Sequence, residues 1–263
     1  MVISDITHVA IMPPVKPEAG LIDKVAGIID KDLYSTGLLL AGKMPRLIAH
    51  YHSAIEAEAS VKILKGLGLT AFSCGDTFLR TPTPAAFSPR ILVNGGSEIE
   101  FRNLTGISKK FGSGDVFLIL KGKAQLGTDI ETTETKRKFS VSKTIVMGGI
   151  PMWSKVKEKT VSKSTEIKSF VRLYILDSTE PAVEITQHSL DYGYLNEKLA
   201  SSSLINFNTA IAELRTFFTE AIFDDRLTAI EGTNTGSVTA GSDTEVNCKL
   251  LYLYYKELRT QNQ

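Results

Sequence analysis

At 263 residues, 43% apolar and 22% charged, the chain is long enough to bury a sizeable core without disulfides or a structural metal, and its length suits two domains. A formal net charge of +1 argues against a polyanion mimic or a generally basic nucleic-acid binder, so any electrostatic partner has to be read from local patches. Two cysteines, Cys74 and Cys248, far apart and without CxxC spacing, argue against a disulfide framework and a thiolate zinc site, and read as buried, inert thiols.

No signal peptide is read at the start, where Asp5, Thr7 and His8 interrupt the first residues. The longest apolar run, Leu38 to Ala41, is far short of a membrane span. The expectation is a cytoplasmic protein without a transmembrane segment.

The first eighty residues alternate strand and helix. Thr7–Met12 is a β-rich run stopped by Pro13-Pro14. From Ala19 to about Ala41 the spacing is helical, with Leu21, Ile22, Val25, Ile28 and Ile29 on one stripe and a second helix opening near Asp32. Arg46–His52 alternates, which puts Leu47, Ala49 and Tyr51 on one face. Ser53 and Glu56 form a capping-box pattern for a helix through Ala57, Val61 and Leu64 that stops at Gly66 and Gly68. Leu69–Cys74 is the next strand. The order β-α-β-α-β predicts a small α/β domain over 1–82, and Thr81-Pro82-Thr83-Pro84 supplies a stiff boundary, since proline cannot donate to a ladder and restrains its predecessor.

Beyond the prolines the period changes to two. Arg90–Val93 and Glu98–Arg102 flank Asn94-Gly95-Gly96 and read as a hairpin. Val116–Lys121 follows a turn at Gly112–Asp115, Phe139 and Val141 alternate with polar residues, and Lys168–Leu176 and Ala182–Gln187 are two further strands. An amphipathic helix then spans about Asn206 to Ile222, with Phe207, Ile211, Leu214, Phe218 and Ile222 at i, i+4, i+7, i+11 and i+15. Residues 231–243, rich in Gly, Thr and Ser, read as a flexible loop, and Ser242 with Glu245 opens a last helix carrying Val246, Leu250, Leu251 and Leu253.

Short antiparallel strands closed by one amphipathic helix, carried by Ile91–Phe101, Val116–Leu120, Phe170–Ile185 and Phe207–Phe218, resemble a pleckstrin-homology (PH) or GRAM-like barrel. The whole chain also looks like uncharacterised bacterial two-domain proteins that join a small α/β domain to such a barrel. The fold class expected is therefore α+β: an α/β domain over 1–82, then an antiparallel PH-like barrel or sandwich with its amphipathic helix over 83–225, including a basic insert at 122–168. A flexible loop and C-terminal helix follow over 226–263. Many such barrels bind lipid headgroups or peptides, but fold does not fix function, and no ligand signature is carried over.

The motifs of several enzyme classes are missing. No GxSxG elbow occurs, and neither cysteine has the surroundings of a catalytic thiol. Gly112-Ser113-Gly114 lacks the third glycine of a dinucleotide fingerprint, and Gly122-Lys123 lacks the rest of a P-loop, so both read as turn glycines. His50 and His52 share a strand face and could hold a metal with His8 or Glu56. A single HxH pair without a carboxylate cluster reads better as a polar strand face, so no metal and no cofactor is expected.

One region stands out. Between residues 136 and 168 lie nine basic residues (Lys136, Arg137, Lys138, Lys143, Lys155, Lys157, Lys159, Lys163 and Lys168) against Glu158 and Glu166, a local charge of +7. Trp153 sits beside the densest part. An apolar turn flanked by spaced lysines suits an anionic surface, and near acidic lipid each lysine contributes about 1 kcal/mol. The alternative is that the lysines guard an exposed sheet edge against pairing. The leading expectation is a non-catalytic binding or scaffold protein contacting an acidic lipid or protein through Lys136, Arg137, Lys138, Lys143, Trp153, Lys155, Lys157 and Lys159; nucleic acid is not the expected partner. Two other readings compete: a hydrolase-type site at the domain junction near His50, His52 and Asp76, and a subunit-interaction module docking through Leu250, Leu251, Leu253 and Tyr254.

Overall fold

A computed structural model describes residues 6–139, 153–229 and 243–261. They form a mixed α+β structure in which residues 1–123 and 169–263 make one compact unit and residues 124–168 a second.

The first sheet of the larger unit holds β1 (Thr7–Ile11), β2 (Arg46–Tyr51) and β3 (Ala71–Gly75) in the order β2-β1-β3, with β1 antiparallel to both neighbours. Between the strands run α1 (Ala19–Ile29), α2 (Leu33–Leu39) and α3 (Ala54–Gly66), and α4 (Asp76–Arg80) follows β3 directly. The long helical stretch breaks where its chemistry provides for it. Asp30 closes α1 in the left-handed region at φ 51°, and the Asp32 carboxylate accepts from the Ser35 amide to open α2. Ser53 stands at the N-cap of α3 without making the side-chain bond of a capping box.

Strand β2 departs from simple alternation. Its register with β1 shifts between Val9 and Ala10, so Leu47 faces Ala10 while Ala49 faces Val9, and Ile48 is the extra residue of a bulge. Leu47, Ala49 and Tyr51 consequently do not share a face. Ile48, Ala49 and Tyr51 pack with Val9, Val25, Val61 and Leu64 beneath α1 and α3, while Leu47 joins Ala10, Phe72 and Cys74 on the opposite side.

That opposite side is covered by α4 and by the last helix, here α6 (Asp243–Gln261), through Leu79, Val246, Leu250, Leu253 and Tyr254. Lys249 of α6 caps α4, its ammonium donating to the carbonyls of Phe78 at 2.8 Å and Thr81 at 2.5 Å. Leu250 and Leu251, proposed above as a docking surface for a partner, are buried within the chain itself.

The β-rich part is not a closed barrel. It consists of two open sheets, β4 (Ile91–Asn94), β5 (Glu98–Arg102) and β6 (Ser108–Gly112) in one, and β10-β7-β8-β9 in the other. The second sheet contains β7 (Leu118–Phe139), β8 (Trp153–Tyr174), β9 (Val183–Thr186) and β10 (Ile222–Leu227), and β10 pairs parallel to β7. The β4–β5 hairpin turns where the glycines predict it, with Gly96 at φ 85° and its amide donating to Asn94 Oδ1. The amphipathic helix is α5 (Ser203–Phe217), which ends before Ile222, since that residue begins β10. Phe207, Ala210, Ile211 and Leu214 of α5 bury against Leu92, Ile99, Phe101, Val171 and Val183 from the two sheets.

Gly122 is not a turn residue. It lies within β7, where a Cβ would come 2.5 Å from Phe170 Cζ and 2.9 Å from Leu227 Cβ, so its neighbours occupy the space of a side chain. Gly122→Ala is therefore expected to destabilise by about 1–3 kcal/mol, read as a lower midpoint in denaturant, since it overpacks a filled site.

Candidate functional site

The residues of the lysine-rich region fall on the two longest strands. Lys136, Arg137 and Lys138 occupy the end of β7, and Trp153, Lys155, Lys157 and Lys159 the beginning of β8, while Lys143 lies outside the described residues. The two strands are neighbours in the sheet, and the Phe117 amide donates to the Tyr174 carbonyl at 3.0 Å, so β7 begins where β8 ends. They therefore run antiparallel.

A second site is assembled from β1, β2 and α4. His8 and His50 lie directly opposite each other in the β1–β2 register, and their Nδ1 atoms stand 2.9 Å apart with ring planes at 89°. On its other side His8 Nε2 meets Asp76 Oδ1 at 2.8 Å, and Asp76 Oδ2 accepts from Arg80 Nε at 2.5 Å, one turn along α4. The Asp76 amide in turn donates to the Ile6 carbonyl at 2.7 Å, tying the start of α4 to the residue before β1.

Proton positions follow from this geometry. The bonds from Arg80, and then from His8, hold the Asp76 carboxyl below its ordinary value, so it is ionised and can only accept. While both rings are uncharged, His8 donates from Nε2 and presents a bare Nδ1, and His50 donates to it from its own Nδ1. This leaves His50 Nε2 bare, on a residue that is exposed where His8 is buried. The His50 ring is harder to protonate than usual, because burial disfavours its charge and the charges on His8 and Lys31 oppose it, with partial relief from Asp76.

Of the residues weighed from the sequence, the relay brings together His8, His50 and Asp76. His52 lies beyond the end of β2 and is exposed, and Glu56 is exposed in the first turn of α3. The register is what joins His8 to His50, and the missed member is Arg80, whose only signal is its i+4 spacing from Asp76.

Cys74 faces His8 from the other side in β3, but burial, and then the charge of Asp76, push its thiol up to about 12, so it is no thiolate nucleophile. Among the described residues no group of three or more His, Cys, Asp or Glu is arranged to hold a metal ion. No described helix is long and apolar enough to cross a membrane.

Compared with protein-family models, curated proteins and solved structures, the chain matches none.

Proposed function

We propose that the protein is a non-catalytic binding protein that engages an acidic lipid surface through the lysine-rich ends of β7 and β8. The observation that supports this reading is the antiparallel pairing of those strands. It gathers Lys136, Arg137 and Lys138 from one strand and Lys155, Lys157 and Lys159 from the other toward the same end of one ribbon, although sixteen residues separate Lys138 from Lys155 in the chain. Six basic residues brought to one end of the ribbon add their attractions to an anionic leaflet at about 1 kcal/mol each, a sum large enough to bind without any pocket. Trp153, the only tryptophan, adds a ring of the type that settles at the headgroup level. Kinship with PH-like or GRAM-like lipid-binding domains belongs to the same proposal.

The competing account, lysines that guard a sheet edge, predicts no partner. Sedimentation with vesicles of pure phosphatidylcholine, and of phosphatidylcholine with phosphatidylserine, separates the two. The expected result is binding to the acidic vesicles alone, lost in high salt as the charges are screened. The triple change Lys155→Glu, Lys157→Glu and Lys159→Glu should weaken that binding at least about a hundredfold. Equal and negligible binding to both vesicles at low and high salt would remove the reading.

A further inference from the structure

The relay at His8 has no part in ribbon binding, yet its protons are tightly specified. The two imidazoles face each other through the same atom, Nδ1, at 2.9 Å, and such a contact is a hydrogen bond only while one of the two nitrogens is bare. One additional proton leaves the bond intact whichever ring it charges, because one of the two facing nitrogens is still bare. With a second proton both facing nitrogens carry hydrogen, since His8 Nε2 already donates to Asp76. Two N–H groups then point at each other at a distance where each needs an acceptor.

The fold gives this contact something to hold. Strand β2 is an edge of its sheet, and the bulge at Ile48 interrupts its ladder with β1. Among the described residues, Ala49, His50 and Tyr51 alone remain paired beyond the bulge, with Val9, His8 and Thr7, before the chain leaves for α3. The side-chain bond from His50 to His8 crosses the middle of those three rungs. We propose that the His8–His50 contact is a proton-operated clasp on the end of β2, closed while one facing nitrogen is bare and open once both are charged.

Among the described residues, the charged and titratable groups around the pair are Lys31 after α1, Asp76 and Arg80 of α4, and Cys74 of β3. Lys31 opposes added charge and Asp76 favours it, while the Cys74 thiol stays neutral. Because His50 in the folded chain is harder to protonate than its ordinary value of 6.5, the unfolded chain takes up the proton first. Stability contributed by the neutral ring is thus full above 6.5 and is lost as the pH falls below that value. The pair takes up its protons in steps that belong to both rings together.

Long-range proton–nitrogen spectra of the imidazoles, combined with amide exchange on the full chain, test the clasp. At about pH 8 His50 should be the Nδ1–H tautomer and His8 the Nε2–H tautomer. Between about pH 8 and pH 5, either side of the ordinary histidine value of about 6.5, protection factors corrected for intrinsic exchange should fall about tenfold in β2 and stay level in β3. His50→Phe, at an exposed position, should abolish that step while leaving the fold in place. Finding His50 as the Nε2–H tautomer overturns the proposal. So does protection in β2 that follows β3 at every pH, or a step that persists in His50→Phe.

Discussion

Replacing Arg226 with methionine is expected to cost about 3–5 kcal/mol of folding stability, because it strands a carboxylate that has no access to water. Asp224 sits in β10 with a side chain only 2% exposed. Its Oδ2 accepts from Arg226 Nε at 2.8 Å, from Arg226 Nη2 at 2.7 Å and from the Tyr255 hydroxyl at 2.9 Å, and its Oδ1 accepts from the Arg226 amide at 2.8 Å. The same guanidinium donates to the Lys43 carbonyl at 2.9 Å and to the Tyr255 hydroxyl at 2.6 Å. One side chain therefore ties β10 to the segment after α2 and to α6. Arg226→Lys should recover only part of the loss, since an ammonium cannot reproduce the planar fork. Tyr255→Phe removes one donor and should cost about 1 kcal/mol. Denaturant unfolding gives the totals, and amide exchange in α6 shows whether that helix loosens first, as the location of Tyr255 requires.

A second half-buried guanidinium holds the N-terminal end of α6. Arg172 of β8, 13% exposed, donates from Nε to Glu184 at 2.6 Å, with Nη1 2.8 Å from Glu245 Oε2. Glu184 is its direct partner in the β8–β9 register, and Glu245 belongs to the first turns of α6. Arg172→Met keeps the apolar stem and removes the charge, leaving two carboxylates to face each other. Their side chains are 29% and 25% exposed, so water offsets some of the penalty and the expected cost is about 2–4 kcal/mol, read from denaturant midpoints. Adding Glu184→Gln and Glu245→Gln to that variant should restore much of the loss, because the residues act as one network. If Arg172→Met alone unfolds at the same denaturant concentration as the parent, the pairings do not hold the helix.

Where local chemistry dictates structure, the sequence was readable. Asn94-Gly95-Gly96 demands its hairpin, Asp32 opens a second helix, and Phe207, Ile211 and Leu214 mark the buried stripe of α5. The α+β character followed from these. The missed elements are polar ones whose burial depends on distant partners. Ile222 reads as the end of a helix and is followed by two aspartates, yet Ile222–Leu227 is a strand, in which Asp224 is satisfied by Arg226 of the same strand and by Tyr255 from α6. Ser108–Gly112, with two lysines, becomes β6 only by pairing with β5. No pattern announces the bulge at Ile48, which turned Leu47 away from Ala49. The candidate relay was half legible: the sequence paired His50 with His52, offered His8 or Glu56 as a third ligand, and set Asp76 near the two histidines. Joining His8 to both required the register of three strands, and that register also leaves His52 outside.

The pairing of α6 with the first sheet sets an order on how the molecule can be made. Phe72, Cys74 and Leu79 leave the ribosome about 170 residues before Leu250 arrives to cover them. At roughly 5–20 residues per second that apolar surface stays bare for on the order of ten seconds or more. The β2-β1-β3 sheet thus passes through synthesis one-sided, held by α1 and α3 on its other face, in the state most open to chaperones and to wrong association. Its maturation is a late, long-range event, and any lesion that slows translation between residues 80 and 243 prolongs that exposure.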